Sequence, residues 1–144
     1  MEIIHDGDKV LLKRAKRVDK IDDSIRNIAA SMVSIMLENN GIGLSGNQVN
    51  ILKRIIVVLV GNKPEVMINP EIIFRSESNL LESEGCLSFP GQFYDISRPK
   101  EIKVKYRNLS GHPVVKTYFG LTARIVSHEI DHLDGITFVK RMSN

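Results

Sequence analysis

The sequence predicts an α+β fold in which helices pack against mainly antiparallel sheet, on three observations. Apolar residues recur at helical spacing over residues 22–39 and again over 121–133. Short runs rich in Ile and Val lie between these two stretches, and residues 102–107 alternate apolar with charged side chains. A single domain over residues 1–144 is expected, because 144 residues can bury one core but are too few for two.

In the first helical stretch Ile25, Ile28, Ala29, Met32, Ile35 and Met36 form one stripe, and Asp22, Asp23 and Ser24 stand ready to cap its start. Asn39, Asn40 and Gly41 tolerate the left-handed backbone of a helix end. Ile55 to Val60, Val66 to Asn69, Glu71 to Phe74 and Asn79 to Glu82 then read as four short strands, separated by proline and polar residues. Ile102, Val104 and Tyr106 alternate with Lys103, Lys105 and Arg107. A second extended run from Val114 to Phe119 follows the turn residues Asn108 to Gly111, which predicts a β-hairpin. The last stretch carries Leu121, Ile125, His128 and His132 at spacings of four, three and four, with Gly135 just beyond it, so this helix turns two histidines toward the interior.

A composition of 42% hydrophobic and 26% charged residues is that of an ordinary globular protein and excludes the disordered and fibrous classes. The longest apolar run, Ile55 to Val60, is far short of the roughly 20 residues a membrane span needs, and residues 1–6 lack a signal-peptide pattern. A cytoplasmic protein with no membrane partner is the expectation. The single cysteine, Cys86, has no intramolecular disulfide partner, which suits a reducing compartment and leaves its thiol free for chemistry. A net charge of +3 and a pI near 9.1 would favour transient contact with an anionic surface such as ribosomal RNA. The loose cluster Lys9, Lys13, Arg14, Lys16 and Arg17 reads more simply as a solvated face, so no specific nucleic-acid partner is expected.

Residues 128–132 spell His-Glu-Ile-Asp-His. Four residues of helix advance about 6 Å and turn about 400°, so both imidazoles leave one face a turn apart and can share a metal. Glu129 lies about 100° further round, placed to act as general base on a water held by that metal. Two buried imidazoles without a metal would carry unsatisfied polar atoms. A catalytic site needs a third protein ligand. The downstream histidine of the metzincin pattern would fall at position 138, which is Phe138, and after His132 the only carboxylate is Asp134. The ligand must therefore come from upstream, and Cys86, in Glu84-Gly85-Cys86-Leu87-Ser88, is the best candidate because a thiolate binds zinc or iron strongly.

Taken in order, Gly41-Ile42-Gly43-Leu44-Ser45-Gly46-Asn47-Gln48, Glu84-Gly85-Cys86-Leu87-Ser88 and His128-Glu129-Ile130-Asp131-His132-Leu133 resemble the three motifs of peptide deformylases. The resemblance covers nearly the whole chain. It implies a fold of mainly antiparallel sheets around a central metal-binding helix, and hydrolysis of the formyl group from the N-terminal formylmethionine of nascent polypeptides. It implies one divalent metal on Cys86, His128 and His132, usually Fe2+, with Zn2+, Ni2+ or Co2+ as substitutes. By the same resemblance Glu129 takes a proton from the water and delivers it to the leaving amine, while the Gln48 side-chain amide and the Leu87 backbone N–H donate to the oxyanion.

Ile42 and Gly85 match positions whose backbone pairs with an extended substrate, and Gly43 matches a point of close substrate approach. Leu87, Leu121 and Ile125 are candidates for the apolar pocket that takes the methionine side chain. Glu84 and Arg98 match an ion pair that supports the cysteine loop. The chain departs from the pattern at Ser45, Gly46 and Ser127, and more consequentially at Phe93, where many bacterial members carry arginine, and at Arg124, where an apolar pocket residue is common and which is itself a substrate-binding candidate. It also ends 12 residues after His132, which makes ribosome docking through a long C-terminal helix less expected. Separately, a monomer is expected. The competing readings are another small Cys/His/His amidohydrolase or peptidase, and a binding protein that kept the fold without the chemistry.

Overall fold

The structure, a computed structural model, describes residues 1–142. Strands β1 (Gly43–Ser45), β2 (Ile55–Val60), β3 (Lys63–Arg75), β6 (Glu101–Arg107) and β7 (Pro113–Phe119) form one antiparallel sheet in the order β1-β2-β3-β6-β7. Strands β4 (Asn79–Cys86) and β5 (Phe89–Pro99) pair as a separate two-stranded ribbon. Helix α1 (Asp23–Glu38) packs on one face of the large sheet and helix α2 (Gly120–Leu133) on the other.

Strand β2 shows why its sequence is an unbroken apolar run. Ile55 and Val57 point into the cluster with Met32 and Met36 of α1, whereas Ile56 and Val58 point into the cluster with Ala123, Val126 and Ile130 of α2. All four are fully buried, because successive side chains alternate between two covered faces. The Asp22 carboxylate accepts from the Ile25 backbone N–H at 3.1 Å and caps α1 as expected.

The predicted hairpin is present, with Val104 opposite Lys116 and Tyr106 opposite Val114. Two expectations change. The runs at 66–69 and 71–74 are one strand, β3, which pairs with β2 as far as Ile68 and then with β6 across a register shift at Asn69 and Pro70. Asn69 adopts φ 52° there, and its side chain accepts from Val18 N–H at 2.8 Å and donates to Val18 C=O at 2.7 Å, so the bulge also anchors the N-terminal segment. Strand β5 has no signal in the sequence: Pro90 and Gly91 open it, much of it is exposed, and it is a strand because β4 pairs with it.

Candidate active site and metal centre

Helix α2 runs under the large sheet and ends against the tip of the β4-β5 ribbon, which brings His128 and His132 to Cys86. One donor atom from each of the three lies within 4.8 Å of the other two. Cys86 Sγ is 3.4 Å from His132 Nε2. His128 is 6% exposed and His132 fully buried. The helical stripe read from spacing is thus the wall of a site.

The donor set fits a divalent metal. His128 Nδ1 lies 2.9 Å from Glu84 Oε1, which orients the ring and leaves Nε2 as its free donor, an arrangement typical of a metal-ligating histidine. His132 Nδ1 is buried without a partner. A thiol and two imidazoles are the ligand types preferred by zinc and ferrous iron. The electrostatics agree. Burial opposes charge on His128, but Glu129 foremost, with Cys86 and Glu84, pushes its pKa up to about 10, whereas burial, then His128 and Arg98, holds His132 well below the usual histidine value. The buried Glu84 carboxylate behind His128, held against the effect of burial down to a pKa of about 2 by His128 and Arg98, keeps a negative charge next to the site.

Glu129 sits beside them, 5% exposed, with Oε1 unpartnered. Burial raises its pKa to about 7, against the neighbouring cations His128 and Arg98. Gly43, at the start of β1, is what lets it reach the cleft: a methyl group there would lie 2.5 Å from Glu129 Oε2 and 2.8 Å from Ile125 Cγ2.

Gln48, 1% exposed in the short helical turn after β1, is brought to the same point. Its Oε1 accepts from Ser45 N–H at 3.0 Å and Ser45 Oγ at 3.1 Å, which turns Nε2 toward Cys86 Sγ (3.4 Å) and Ser88 Oγ (3.2 Å). The other half of the site is a cleft of about 470 Å³ lined by Ile42, Gly43, Gly85, Leu87, Leu121 and Ile125, among others. The register of the ribbon breaks between the pairs Glu84 with Tyr94 and Cys86 with Phe89, so Gly85 has no cross-strand partner. The Ile42 carbonyl accepts from Leu59 N–H at 2.9 Å, which leaves the Ile42 N–H as the group able to pair with a peptide.

The family model for polypeptide deformylase matches residues 1–144. The chain belongs to the peptide deformylase family. The peptide deformylase of Synechocystis sp. is 44% identical to it over 149 aligned positions, covering 100% of this chain and 80% of its own length. The crystal structure of the peptide deformylase from Thermotoga maritima superposes with a TM-score of 0.97 at 43% identity, over 99% of this chain and 97% of that one. A class I type b peptide deformylase from Acinetobacter baumannii, with Met-Ala-Ser bound, superposes with a TM-score of 0.94 at 36% identity, over 99% and 98%.

In this chain Glu84 and Arg98 form the expected pair, Arg98 Nε to Glu84 Oε2 at 2.9 Å and Nη2 to Oε1 at 3.1 Å. Arg124, the other candidate for substrate contact, is brought to the same cleft. Its guanidinium is buried and donates to Glu84 Oε2 at 2.5 Å, Leu80 C=O at 2.7 Å and Ile96 C=O at 2.9 Å. Sequence reasoning missed this, along with Ser88 behind Gln48 and Asp131, which accepts from Arg98 Nη1 at 2.6 Å. A signal existed for two of them: Arg124, His128 and Asp131 follow at spacings of four and three, one helical stripe.

Proposed function

We propose that this chain hydrolyses the formyl group from the N-terminal formylmethionine of peptides and nascent chains, breaking the formyl C–N bond and releasing formate. The observation that carries this reading is the place of Glu129: a buried carboxylate with a free oxygen, one residue from His128, facing the cleft across the bare backbone of Gly43. When bound by Cys86, His128 and His132, a divalent metal supplies the Lewis acidity that makes water a nucleophile near neutral pH. Fe2+ is the metal we assign, with Zn2+, Ni2+ or Co2+ able to substitute.

Glu129 then accepts the proton of the attacking water and passes it to the amine as the C–N bond breaks, a step suited to a carboxyl group that burial has made more basic. The Gln48 side-chain amide and the Leu87 N–H donate to the developing oxyanion. The Ile42 N–H and the unpaired backbone of Gly85 hold the peptide extended, and the methionine side chain lies against Leu87, Leu121 and Ile125. The Acinetobacter relative binds Met-Ala-Ser, which supports a peptide beginning with methionine as the kind of molecule this chain handles. We take residues 1–144 to be one catalytic domain acting as a cytoplasmic monomer that meets nascent chains through transient ribosome contact. Among the described residues no helix is long and apolar enough to cross a membrane.

The test compares formyl-Met-Ala with acetyl-Met-Ala and unformylated Met-Ala on freshly metallated protein. Formate release from the first alone is the expected result. Equal release of acetate from the second, or cleavage of the Met-Ala bond, would replace the reading with a broader amidohydrolase or a peptidase.

A further inference from the structure

Arg124 joins Arg98 on the Glu84 carboxylate behind the metal-binding helix, yet no step proposed above uses it. It lies on α2 one turn before His128 and is 5% exposed. Its Nη2 donates to the Leu80 carbonyl of β4, and its Nη1 to the Ile96 carbonyl of β5 and to Glu84 Oε2. The Glu84 carboxylate is thereby saturated: Oε1 meets His128 Nδ1 and Arg98 Nη2, while Oε2 meets Arg98 Nε and Arg124 Nη1. One planar guanidinium spans the helix, both strands of the ribbon and the carboxylate, a fork that the single ammonium of lysine cannot reproduce.

We propose that Arg124 is a positioning residue for the metal centre, acting through Glu84 on His128. By holding Oε2, Arg124 keeps the carboxylate from rotating and so presents Oε1 to the His128 ring at a fixed angle. That contact fixes which ring nitrogen is free to bind metal and how it points. Because Arg124 also binds the two strands that lead to Cys86, it couples the placement of His128 on the helix to that of Cys86 on the ribbon. The inference rests on the reading of Cys86, His128 and His132 as ligands, and its test is a binding measurement that does not require deformylation to succeed.

The experiment is a double-mutant cycle read on Co2+ affinity and on the visible absorption of bound Co2+, with wild type, Arg124→Met, Glu84→Gln and the double variant. Affinity is measured by competition with a chromophoric chelator, and the melting temperature of each metal-free protein is recorded beside it. Arg124→Met should weaken Co2+ binding about tenfold, within the range for groups that orient a ligand, and alter the absorption bands. The loss should shrink to nothing in the Glu84→Gln background, since coupled residues are non-additive. Arg124→Lys, which keeps the charge but not the fork, should fall between wild type and Arg124→Met, and it carries the comparison by itself should the methionine variant not fold. A lower melting temperature with wild-type affinity and spectrum would make Arg124 a brace of the ribbon alone and overturn the proposal. So would a loss of affinity that persists undiminished without the Glu84 carboxylate.

Discussion

Cys86 supplies the only proposed metal ligand outside the helix, on a strand that reaches the site through the β4-β5 ribbon. Changing it to alanine leaves two imidazoles and removes the thiolate, so anaerobically purified Cys86→Ala should hold far less than one metal per chain by elemental analysis. Full occupancy would exclude it as the third ligand. Phe93 stands at the mouth of the same cleft, 69% exposed, with its ring so close to Gly85 that a methyl group on that glycine would lie 2.7 Å from Cε1. With Arg124 held by Glu84 and two carbonyls, the mouth offers an apolar ring in place of a cation able to pair with a carboxylate. Amidating the C-terminus of a formyl tripeptide should therefore change kcat/KM little, and Phe93→Arg should create a preference for the free acid, of modest size because an exposed ion pair is worth about 0 to 1 kcal/mol. A strong preference of the unaltered protein for the acid would show that another cation serves that end.

At the scale of elements, the large sheet depends on β2 being covered on both sides. Ile56 is fully buried in the cluster with Met67 and Val126 under α2, so Ile56→Ala should cost about 2 to 5 kcal/mol by urea unfolding. Ile73, 47% exposed on β3, should change stability by no more than about 0.5 kcal/mol when changed to alanine. Elements with a buried stripe or an alternating face were readable from the sequence: α1, α2, β2, β6 and β7 lie within a residue or two of their predicted spans. Strand β5 was not, because its pattern is mixed and its pairing with β4 is set by the chain as a whole. The ligands and Glu129 were legible because a metal demands particular atoms at helical spacing. Ser88 was not, since its partner Gln48 lies 40 residues away and nothing local marks the pair; Arg124 shares the helical stripe of His128, but its partner Glu84, also 40 residues away, is not marked by that stripe.

For the molecule as a whole, the topology places three distant motifs around one point: β1 leads Gly43 and Gln48 to it, the ribbon leads Cys86, and α2 passes between them. The sheet also carries a charged network away from this centre, where Glu65 of β3 accepts from Tyr118 Oη at 2.8 Å and Lys116 Nζ at 3.2 Å and from the Tyr106 hydroxyl. Burial opposes ionisation of Glu65, but the two tyrosine hydroxyls and Lys116 together hold its pKa below the ordinary 4.5. A carboxylate depressed on folding contributes stability that is fully present above its unfolded pKa and is lost as pH falls through the folded value. Glu65→Gln should therefore be less stable than the unaltered protein at neutral pH, with the gap closing in acid below 4.5. A gap that stays constant through the acid range would rule out the carboxylate charge as its source. The central claim is that Glu129 carries the proton while Cys86, His128 and His132 hold the metal. Its most direct test is the turnover of formyl-Met-Ala per bound metal in Glu129→Ala. The account predicts a metal content close to that of the unaltered protein with turnover lower by at least roughly 10² to 10⁴, and near-normal turnover per metal would contradict it.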